Sequence, residues 1–410
     1  MATLVKAFKS NSIPDFTFAE IVHKHQKVTK FIKTYDAIIV GGGPAGAYCG
    51  YCLAKKGLQA VILDHSHPRE KSCGGVISNR AFKKFPIIHA VPYTFDVRNP
   101  FEIISPSGQI VKFEKNRGHS VSRRILDRYL LDSAVNQGCK WVQEKAISIV
   151  NEQGLWIVKT NESEFRARIL VGADGVTSIV RKSVSSPFNS NDLARGIEYL
   201  VEGTEGETSK LQFLSNRPGY CWKVNRGMHS SLGILDLTGN LSMLKNDLDK
   251  FLNNNYRGVR PLMRMDAYVP RASSIEFFTS SCAGKNWLLI GDAAGHAHPL
   301  TGEGVLYALW SAELAAQAVH AGDTRLYDTF WREEYGKELI KAVIAQKIIY
   351  SKNILDTTLW FSVRSKTLSD IMFTLLSGNS TADNAWMRTL LNIPRIGLET
   401  MFNGVRSAFA

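Results

Sequence analysis

The stretch YDAIIVGGGPAG, residues 35–46, decides how the first part of the chain is expected to fold. Its first six residues form an apolar run that is typical of a buried parallel strand. The glycine turn that follows opens a predicted helix, Ala45–Lys56, which Gly57 ends. A second apolar run, Ala60–Leu63, completes a βαβ unit. The stretch therefore predicts a domain with a parallel sheet covered by helices.

The glycine turn has the spacing Gly-x-Gly-x-x-Gly, which indicates dinucleotide binding when a strand precedes it and a helix follows. The first glycine permits a tight turn, the second lets the backbone approach a pyrophosphate, and the third lets the helix pack close to the strand. The helix N-terminus offers free N–H groups to phosphates, and a carboxylate after the second strand can bond a ribose hydroxyl. FAD and a nicotinamide cofactor both fit this turn. The candidate cofactor-binding residues are Gly41, Gly43, Pro44, Ala45, Gly46 and Asp64.

Two later glycine turns also follow predicted strands, GADG at residues 172–175 and GDAAG at residues 291–295. Asp174 and Asp292 in these turns offer carboxylates that can accept hydrogen bonds from sugar hydroxyls. A predicted helix, Gly304–Val319, follows the second of them, and its positive end can stabilise negative charge on a reduced flavin. Either aspartate alone could instead be a turn residue of the kind favoured before glycine.

With these three turns in this order, residues 35–320 resemble the flavoproteins built like aromatic hydroxylases and geranylgeranyl reductases. The resemblance implies FAD as the cofactor. It also implies that the second turn backs the nucleotide, that the aspartate of the third turn lies on the ribityl chain, and that two glycines beyond it lie near the flavin ring. The cofactor-binding residues implied in this part are Asp174, Gly291, Asp292, Gly302 and Gly304.

Three shorter motifs resemble the geranylgeranyl reductases in particular: SCGG at 72–75, GYCW at 219–222 and SRRILD at 122–127. In that family the Cys-Gly-Gly loop lies by the flavin and the substrate, and the Tyr-x-Trp pattern lines the isoprenoid pocket. The third motif places Arg123 on the cofactor side. The substrate-binding residues implied are Gly74, Gly75, Tyr220 and Trp222, with Cys73 as the candidate catalytic residue.

These motifs also have structural alternatives. Cys73 could deliver or relay a proton or merely hold the shape of its loop, and Tyr220 and Trp222 could be core aromatic residues on a strand. The sequence departs from the reductase pattern as well, because Val224 and Asn225 stand where an aromatic residue and a proline usually follow the tryptophan. It also lacks the Trp-x-Trp-x-Ile-Pro signature of flavin halogenases.

The motifs together predict an FAD-dependent oxidoreductase that saturates C=C bonds of a geranylgeranyl or other polyprenyl substrate by hydride transfer from reduced flavin. An FAD-dependent monooxygenase or halogenase acting on an apolar or aromatic molecule is the alternative enzyme. A flavin-free binding protein is the alternative outside the enzymes. No second Gly-x-Gly-x-x-Gly occurs in a βαβ context, so the expected electron donor is transiently bound NAD(P)H or a redox protein.

The expected fold is α/β with an added β-rich part. Ser122–Gln137 is predicted to be a helix with Leu126, Leu130 and Val135 near the helical period, whereas residues 186–280 show strand-like alternation and few helical patterns. The predicted parts are an N-terminal extension (1–34), a discontinuous Rossmann-like FAD-binding domain (35–90, 121–185 and 282–325), a β-rich substrate domain (91–120 and 186–281) and a helical C-terminal region (326–410).

Composition narrows the class of protein. The 410 residues are 44% hydrophobic and 21% charged, which excludes a mostly disordered or collagen-like chain. No window approaches the roughly 18 uninterrupted apolar residues of a spanning helix, and Met1–Ser12 has no secretory pattern. Six scattered cysteines then indicate free thiols and a cytoplasmic location. No metal site is predicted, because His296 and His298 have no further ligands at metal spacing.

The net charge of +13 favours anionic partners. Nucleic acid is not expected, because the sequence has no nucleic-acid motif and no dense basic run. In the tail, the clusters Leu359–Phe361 and Ile371–Phe373 flank Arg364 and Lys366, which predicts peripheral contact with an anionic membrane unless the clusters pack onto the core. The tail aromatics expected to be exposed are Trp360, Phe361, Phe373, Trp386 and Phe402.

Overall fold

The computed structural model describes residues 33–96, 101–114, 118–202, 208–227, 229–238, 241–256, 258–377, 380 and 382–408. The predicted N-terminal extension, 1–34, lies outside the described residues except for its last two positions. In the described part of the chain, 18 strands form three sheets and 12 α-helices surround them, numbered below in chain order.

The first sheet is centred on β1 (Thr34–Val40), as the opening stretch predicts. Its parallel strands run in the order β18 (Trp287–Leu289), β11 (Glu164–Gly172), β1, β2 (Ala60–Leu63) and β8 (Lys140–Val142). Its antiparallel strands are β9 (Ala146–Glu152), β10 (Leu155–Thr160) and β17 (Ala283–Gly284). Val40 lies opposite both Gly172 and Leu63, so the ends of these strands meet at one edge. The three glycine turns follow β1, β11 and β18 and therefore lie together at that edge.

Four helices accompany this sheet: α1 (Pro44–Lys55), α3 (Arg123–Asn136), α4 (Ile179–Val184) and α6 (Val305–His320). Helix α1 packs against both α3 and α6. The bounds of the three longer helices agree with the prediction to within one residue. Of the three residues placed near the helical period in α3, Leu126 and Leu130 are buried, whereas Val135 is 40% exposed and Ala134 is buried in its place. At 3.6 residues per turn, position 134 returns to the face of Leu126 and Leu130.

The second sheet has seven strands in the order β16 (Met263–Pro270), β12 (Leu193–Glu202), β15 (His229–Asp236), β14 (Gly219–Asn225), β13 (Ser209–Phe213), β5 (Phe101–Ile104) and β6 (Ile110–Phe113). The prediction of few helices in residues 186–280 missed α5 (Leu241–Asn255). This helix buries Leu244, Leu248 and Phe251 against the sheet. Their spacing gives a single apolar stripe, which polar residues on the other faces dilute in the sequence.

A small third sheet joins β3 (Val76–Ser78) and β4 (Phe95–Asp96) to β7 (Gly118–Ser120). Helix α2 (Asn79–Lys84) follows β3, and the Ser78 hydroxyl accepts a hydrogen bond from the Ala81 N–H at its start. This sheet places the Cys-Gly-Gly loop, which immediately precedes β3, between the first sheet and the second.

The tail is helical, as predicted, and contains α7 (Leu326–Trp331), α8 (Lys337–Ile349), α9 (Lys352–Arg364), α10 (Lys366–Leu376), α11 (Ala382–Leu391) and α12 (Ile393–Ala408). Leu359 and Phe373 pack against Phe213 and other side chains of the second sheet. The prediction that Phe373 is exposed is therefore wrong: it is 7% exposed, and Ile371 is 3% exposed. The apolar clusters predicted to face a membrane thus lie mainly in the core. No helix among the described residues is both long and apolar enough to cross a bilayer.

Candidate functional site

A single large cavity, of about 1300 Å³, begins at the three glycine turns, passes the Cys-Gly-Gly loop and continues between the second sheet and the tail helices. All of the predicted cofactor-binding, substrate-binding and catalytic residues line it except Gly46 and Gly291. Those two glycines lie behind the wall instead. A Cβ on Gly46 would stand 1.9 Å from the Gly41 carbonyl oxygen, and one on Gly291 would stand 2.8 Å from the Ala45 Cβ. They let elements pack closely rather than contact a ligand.

The first glycine turn leaves open space where a dinucleotide would approach. A Cβ on Gly43 would point into the cavity and meet only the Arg69 guanidinium, at 3.9 Å. Gly43 is the N-cap of α1, Pro44 follows it, and no side chain caps the free N–H groups of the first turn. The backbone edge and the positive helix end are therefore exposed to the cavity, which suits a pyrophosphate.

Asp64 is fixed beside this turn at the end of β2. One carboxylate oxygen accepts the Gly42 N–H at 2.7 Å, and the other accepts the N–H and hydroxyl of Ser66 at 2.7 and 2.6 Å. Burial opposes the charge, yet the His67 ring, 3.5 Å away, and hydrogen bonds from Ser66 and Gly42 hold the pKa of Asp64 well below its ordinary value. The carboxylate stays ionised and lines the cavity, so it can accept the hydroxyls of a ribose.

Two arginines line the same end of the cavity, and both bind Asp127. Arg123 donates to Asp127 through Nε at 2.7 Å and Nη2 at 2.9 Å, and Arg69 donates through Nη1 at 3.2 Å. Burial disfavours the charge, but Asp127 and the neighbouring Cys73 side chain raise the pKa of Arg123 above its ordinary value. Two guanidiniums against one buried carboxylate leave net positive charge beside the glycine turn. Sequence reasoning missed Arg69, for which the signal is a basic residue five positions after Asp64.

Asp174, in the second turn, uses its carboxylate within the protein. It accepts the Ser178 hydroxyl and the backbone N–H groups of Ile179 at 2.7 Å and Val180 at 3.3 Å, at the start of α4. Burial raises the pKa of Asp174. Its contacts match the turn-residue alternative, although the residue also lines the cavity.

Asp292, in the third turn, meets the cavity where the polar end gives way to the apolar end. Its carboxylate pairs with the Lys71 ammonium at 3.1 Å, and its Oδ1 lies 3.6 Å from where a Cβ of Gly304 would stand. A Cβ on Gly302 would stand 3.0 Å from the Tyr220 hydroxyl. The two glycines thus lie between the Asp292 carboxylate and the Tyr220 hydroxyl. Lys71 is a further polar residue that sequence reasoning did not single out.

The Cys-Gly-Gly loop is held by a buried ion pair that sequence reasoning missed. Glu198 in β12 accepts the Cys73 N–H at 2.6 Å, the Ser231 hydroxyl at 2.6 Å and the Arg226 guanidinium at 2.7 Å. Arg226 also donates to the carbonyls of Cys73 and Gly74. Both side chains of the ion pair are 0% exposed. The signal was a charged residue within the apolar run of β12, where it interrupts an otherwise buried strand.

The same ion pair explains the shape of the loop and its relation to the substrate residues. Gly75 has a φ of +73°, and a Cβ there would stand 2.6 Å from Arg226 Nε, so only glycine fits. Trp222 donates its indole N–H to Ser231 at 2.8 Å, which links it to Glu198. Burial raises the pKa of Glu198, and Arg226 opposes that rise. The three bonds it accepts match an ionised carboxylate that positions Cys73 and Trp222 together.

Beyond Tyr220 the cavity wall becomes apolar. Phe213 and Leu235 of the second sheet line this part together with Leu359, Ile371 and other side chains of the tail. These residues are far apart in the sequence and share no motif. The arrangement binds a long hydrocarbon by removing its surface from water, at about 0.8 kcal/mol per CH₂ group.

His296 and His298 are structural residues outside the cavity wall. His296 Nδ1 lies 2.9 Å from the Tyr335 hydroxyl, and its ring packs against Trp331. Burial lowers the pKa of His296 to about 3 and that of His298 to about 4. Both are therefore neutral at pH 7.

Comparison with known proteins supports this reading of the fold. Residues 39–103 match the NAD(P)-binding Rossmann-like domain family. Digeranylgeranylglycerophospholipid reductase 2 from Methanococcoides burtonii is 26% identical over 377 residues, which cover 84% of this chain and 90% of that protein.

Two solved structures superpose over most of the chain. A geranylgeranyl bacteriochlorophyll reductase-like protein from Thermoplasma acidophilum has a TM-score of 0.72 at 21% identity and covers 90% of this chain and 99% of its own. A flavin-dependent brominase has a TM-score of 0.66 at 17% identity and covers 89% and 98%. The predicted fold class, with a Rossmann-like domain, a strand-rich part and a helical C-terminal region, is confirmed. The resemblance to geranylgeranyl reductases is confirmed as well.

Proposed function

We propose that this protein is an FAD-dependent reductase that saturates C=C bonds of an isoprenoid lipid. The observation that carries the proposal is the continuity of one cavity, which joins the polar end at the glycine turns to a long apolar end at the Cys73 loop. The name of the Methanococcoides burtonii relative supports the reaction and the polyprenyl class of substrate. The brominase shares only the fold, and this sequence lacks the halogenase signature, so we rank halogenation second.

The residues at the polar end fit FAD. Its pyrophosphate fits the open backbone edge at Gly43 beside the guanidiniums of Arg69 and Arg123, and its sugar hydroxyls fit the carboxylates of Asp64 and Asp292. When bound, FAD in its reduced form supplies the hydride that alkene reduction requires. The protein positions the alkene next to it by enclosing the chain in an apolar wall from which water is excluded.

Alkene reduction adds a hydride to one carbon and a proton to the other, so two electrons leave the cofactor and one proton leaves an acid. Cys73 lines the cavity at the junction of its two ends, beside the Arg123 guanidinium. We assign Cys73 as the proton donor, because its thiol offers a transferable proton at that junction. Glu198 and Arg226 act as positioning residues, since they hold the backbone of Cys73 on both sides.

A Cys73→Ala substitution tests this assignment. We expect kcat to fall by roughly 10²- to 10⁴-fold, the usual contribution of an acid, with KM and flavin affinity nearly unchanged. Cys139→Ala is the matched control, because that thiol is buried and does not line the cavity. An unchanged kcat in Cys73→Ala would assign the residue to the shape of the loop.

The electron donor and the membrane contact belong to the same proposal. Two electrons must return to the cofactor after each double bond, and transiently bound NAD(P)H or a redox protein supplies them. An isoprenoid lipid resides in a bilayer, so the enzyme works at a membrane surface without spanning it.

Product mass tests the proposed reaction. The protein is reconstituted with FAD, reduced with dithionite under argon and incubated with a digeranylgeranyl phospholipid. We expect a flavin absorbance spectrum and products that gain two hydrogen atoms for each double bond lost. Gain of an oxygen or halogen atom when O₂ and halide are admitted would assign the protein to the alternative class. A protein that stays colourless after reconstitution would contradict both.

A further inference from the structure

The far end of the cavity opens at the surface of the tail. Ile344 and Ile348 of α8 and Trp386 of α11 line the cavity there. The same three side chains are 53%, 48% and 66% exposed. Large apolar side chains that line a cavity and are also exposed to solvent indicate that the cavity opens here and that the edge of the opening is hydrophobic.

Further exposed apolar side chains lie at the end of α11 and along α12. Six of the side chains in this region are between 56% and 75% exposed, and we call them the tail patch: Trp386, Met387, Leu391, Leu398, Met401 and Phe402. A group of this size within 17 consecutive residues differs from the isolated exposed apolar side chains found on most proteins. Surfaces of this kind indicate contact with a protein partner or a membrane.

The charge around the patch favours an anionic bilayer as the contacting surface. Residues 337–403 contain eight lysines or arginines and five aspartates or glutamates, a net charge of +3. Arg388 and Arg395 lie within the patch and are exposed, and Arg395 pairs with Glu399 at 3.1 Å. An apolar helical face that carries a tryptophan and basic residues suits the boundary between headgroups and acyl chains. The location of the patch beside the cavity opening also favours a membrane, because the proposed substrate is itself a bilayer lipid.

We propose that the tail patch rests on the surface of an anionic membrane and that isoprenoid chains enter the cavity through the opening between α8 and α11. This inference rests on the proposed function for the identity of the lipid that enters. The isoprenoid chain enters with its hydrocarbon end first and extends from the bilayer core to the Cys73 loop, while the polar headgroup of the lipid stays at the membrane interface. The clusters at 359–361 and 371–373, which lie mainly in the core, take no part in the contact.

Vesicle sedimentation tests the contact without any turnover. The FAD-loaded full chain is mixed with vesicles of equal parts phosphatidylcholine and phosphatidylglycerol. The test variant is Leu391→Glu with Phe402→Glu, at two residues that do not line the cavity. The matched control is Ile147→Glu with Leu262→Glu, whose residues are 59% and 61% exposed elsewhere on the molecule. We expect the test variant to bind at least roughly tenfold more weakly than the wild type and the control.

Two results would overturn the contact. One is vesicle binding by the test variant equal to that of the control. The other is a wild type that ignores vesicles and forms dimers which the test variant cannot form, because a second copy of the chain would then cover the patch. Sedimentation is read without catalysis, so failure of the proposed reaction leaves this result interpretable.

Entry through the opening is tested by two substrates. The test variant is expected to lose most of its rate on a polyprenyl lipid embedded in vesicles and to keep the wild-type rate on a short prenyl alcohol dispersed in detergent. Equal loss on both substrates, or on neither, would contradict entry from the membrane. Flavin absorbance confirms in each case that the cofactor site is intact.

Discussion

The two ends of the cavity are shaped in different ways. From the glycine turns to the Cys73 loop, polar contacts shape the cavity: Asp64 binds Gly42 and Ser66 over short distances, and the Glu198–Arg226 pair behind the loop is fully buried. At the tail end, Phe213 packs against Leu359 with no polar contact. A buried polar group that loses its hydrogen-bond partner stays unsatisfied, whereas apolar side chains can repack around a small change in the shape of a neighbour. Substitutions should therefore have large effects at the first end and graded effects at the second.

The largest effect is expected for Glu198→Ala, which leaves the buried Arg226 guanidinium with only the Glu70 carboxylate, at 3.5 Å, as an ionic partner. Removing one partner of a buried ion pair costs about 3–5 kcal/mol. We expect the free energy of unfolding, measured in urea, to fall by this amount. Glu202→Ala, at the exposed end of the same strand, should change it by less than about 0.5 kcal/mol. An equal loss of unfolding free energy in the two variants would contradict the claim that the polar part of the cavity is more sensitive to substitution than the apolar end.

Stability should also depend on pH through His296 and His298, beside the third turn. Their folded-state pKa values, about 3 and about 4, lie below the ordinary 6.5, so the unfolded chain binds protons first as the pH falls. Stability is therefore lost as the pH falls below about 6.5, by roughly 2 kcal/mol per histidine between pH 7 and pH 5. Urea titrations at the two pH values measure the loss. His298→Asn should reduce it by roughly half, and an unchanged pH dependence would refute the assignment.

A smaller effect is expected at the helix contact behind the cofactor wall. Gly46→Ala places a methyl group against the Gly41 carbonyl, and overpacking of this kind costs about 1–3 kcal/mol. Because the strain distorts the first glycine turn, FAD affinity, measured by fluorescence titration, should fall by roughly 5- to 100-fold. Gly397→Ala in α12 is the control, since an added methyl group there meets no neighbour. Equal affinities in the two variants would mean that the close approach does not shape the site.

The smallest effect is expected at the apolar end. Ile371→Val removes one methylene from a buried side chain of the cavity wall and should cost about 0.5–1.5 kcal/mol of stability. The kcat/KM for an isoprenoid should change only severalfold, since about 0.8 kcal/mol accompanies each CH₂ group. A loss as large as that of Glu198→Ala would show that the apolar wall is as intolerant as the ion pair.

The same contrast explains what the sequence could predict. The three turns are local patterns of glycine and aspartate, and strands of predictable type bring them together. Glu198 lies in β12 and Arg226, 28 residues later, directly follows β14, and no motif connects them to the Cys73 loop. The apolar wall requires knowing which face of each tail helix meets the second sheet. For this reason Phe373 was predicted to be exposed although it is buried, and α5 was missed because polar residues on its other faces dilute its apolar stripe.

Anaerobic stopped-flow spectroscopy tests the central claim most directly. Reduced, FAD-loaded protein is mixed with a digeranylgeranyl phospholipid in the absence of oxygen, and flavin absorbance is followed while lost double bonds are counted by mass spectrometry. The account predicts that the lipid reoxidises the flavin, with one double bond saturated for each flavin oxidised. A flavin that stays reduced with the lipid and is reoxidised only when oxygen is admitted would contradict it.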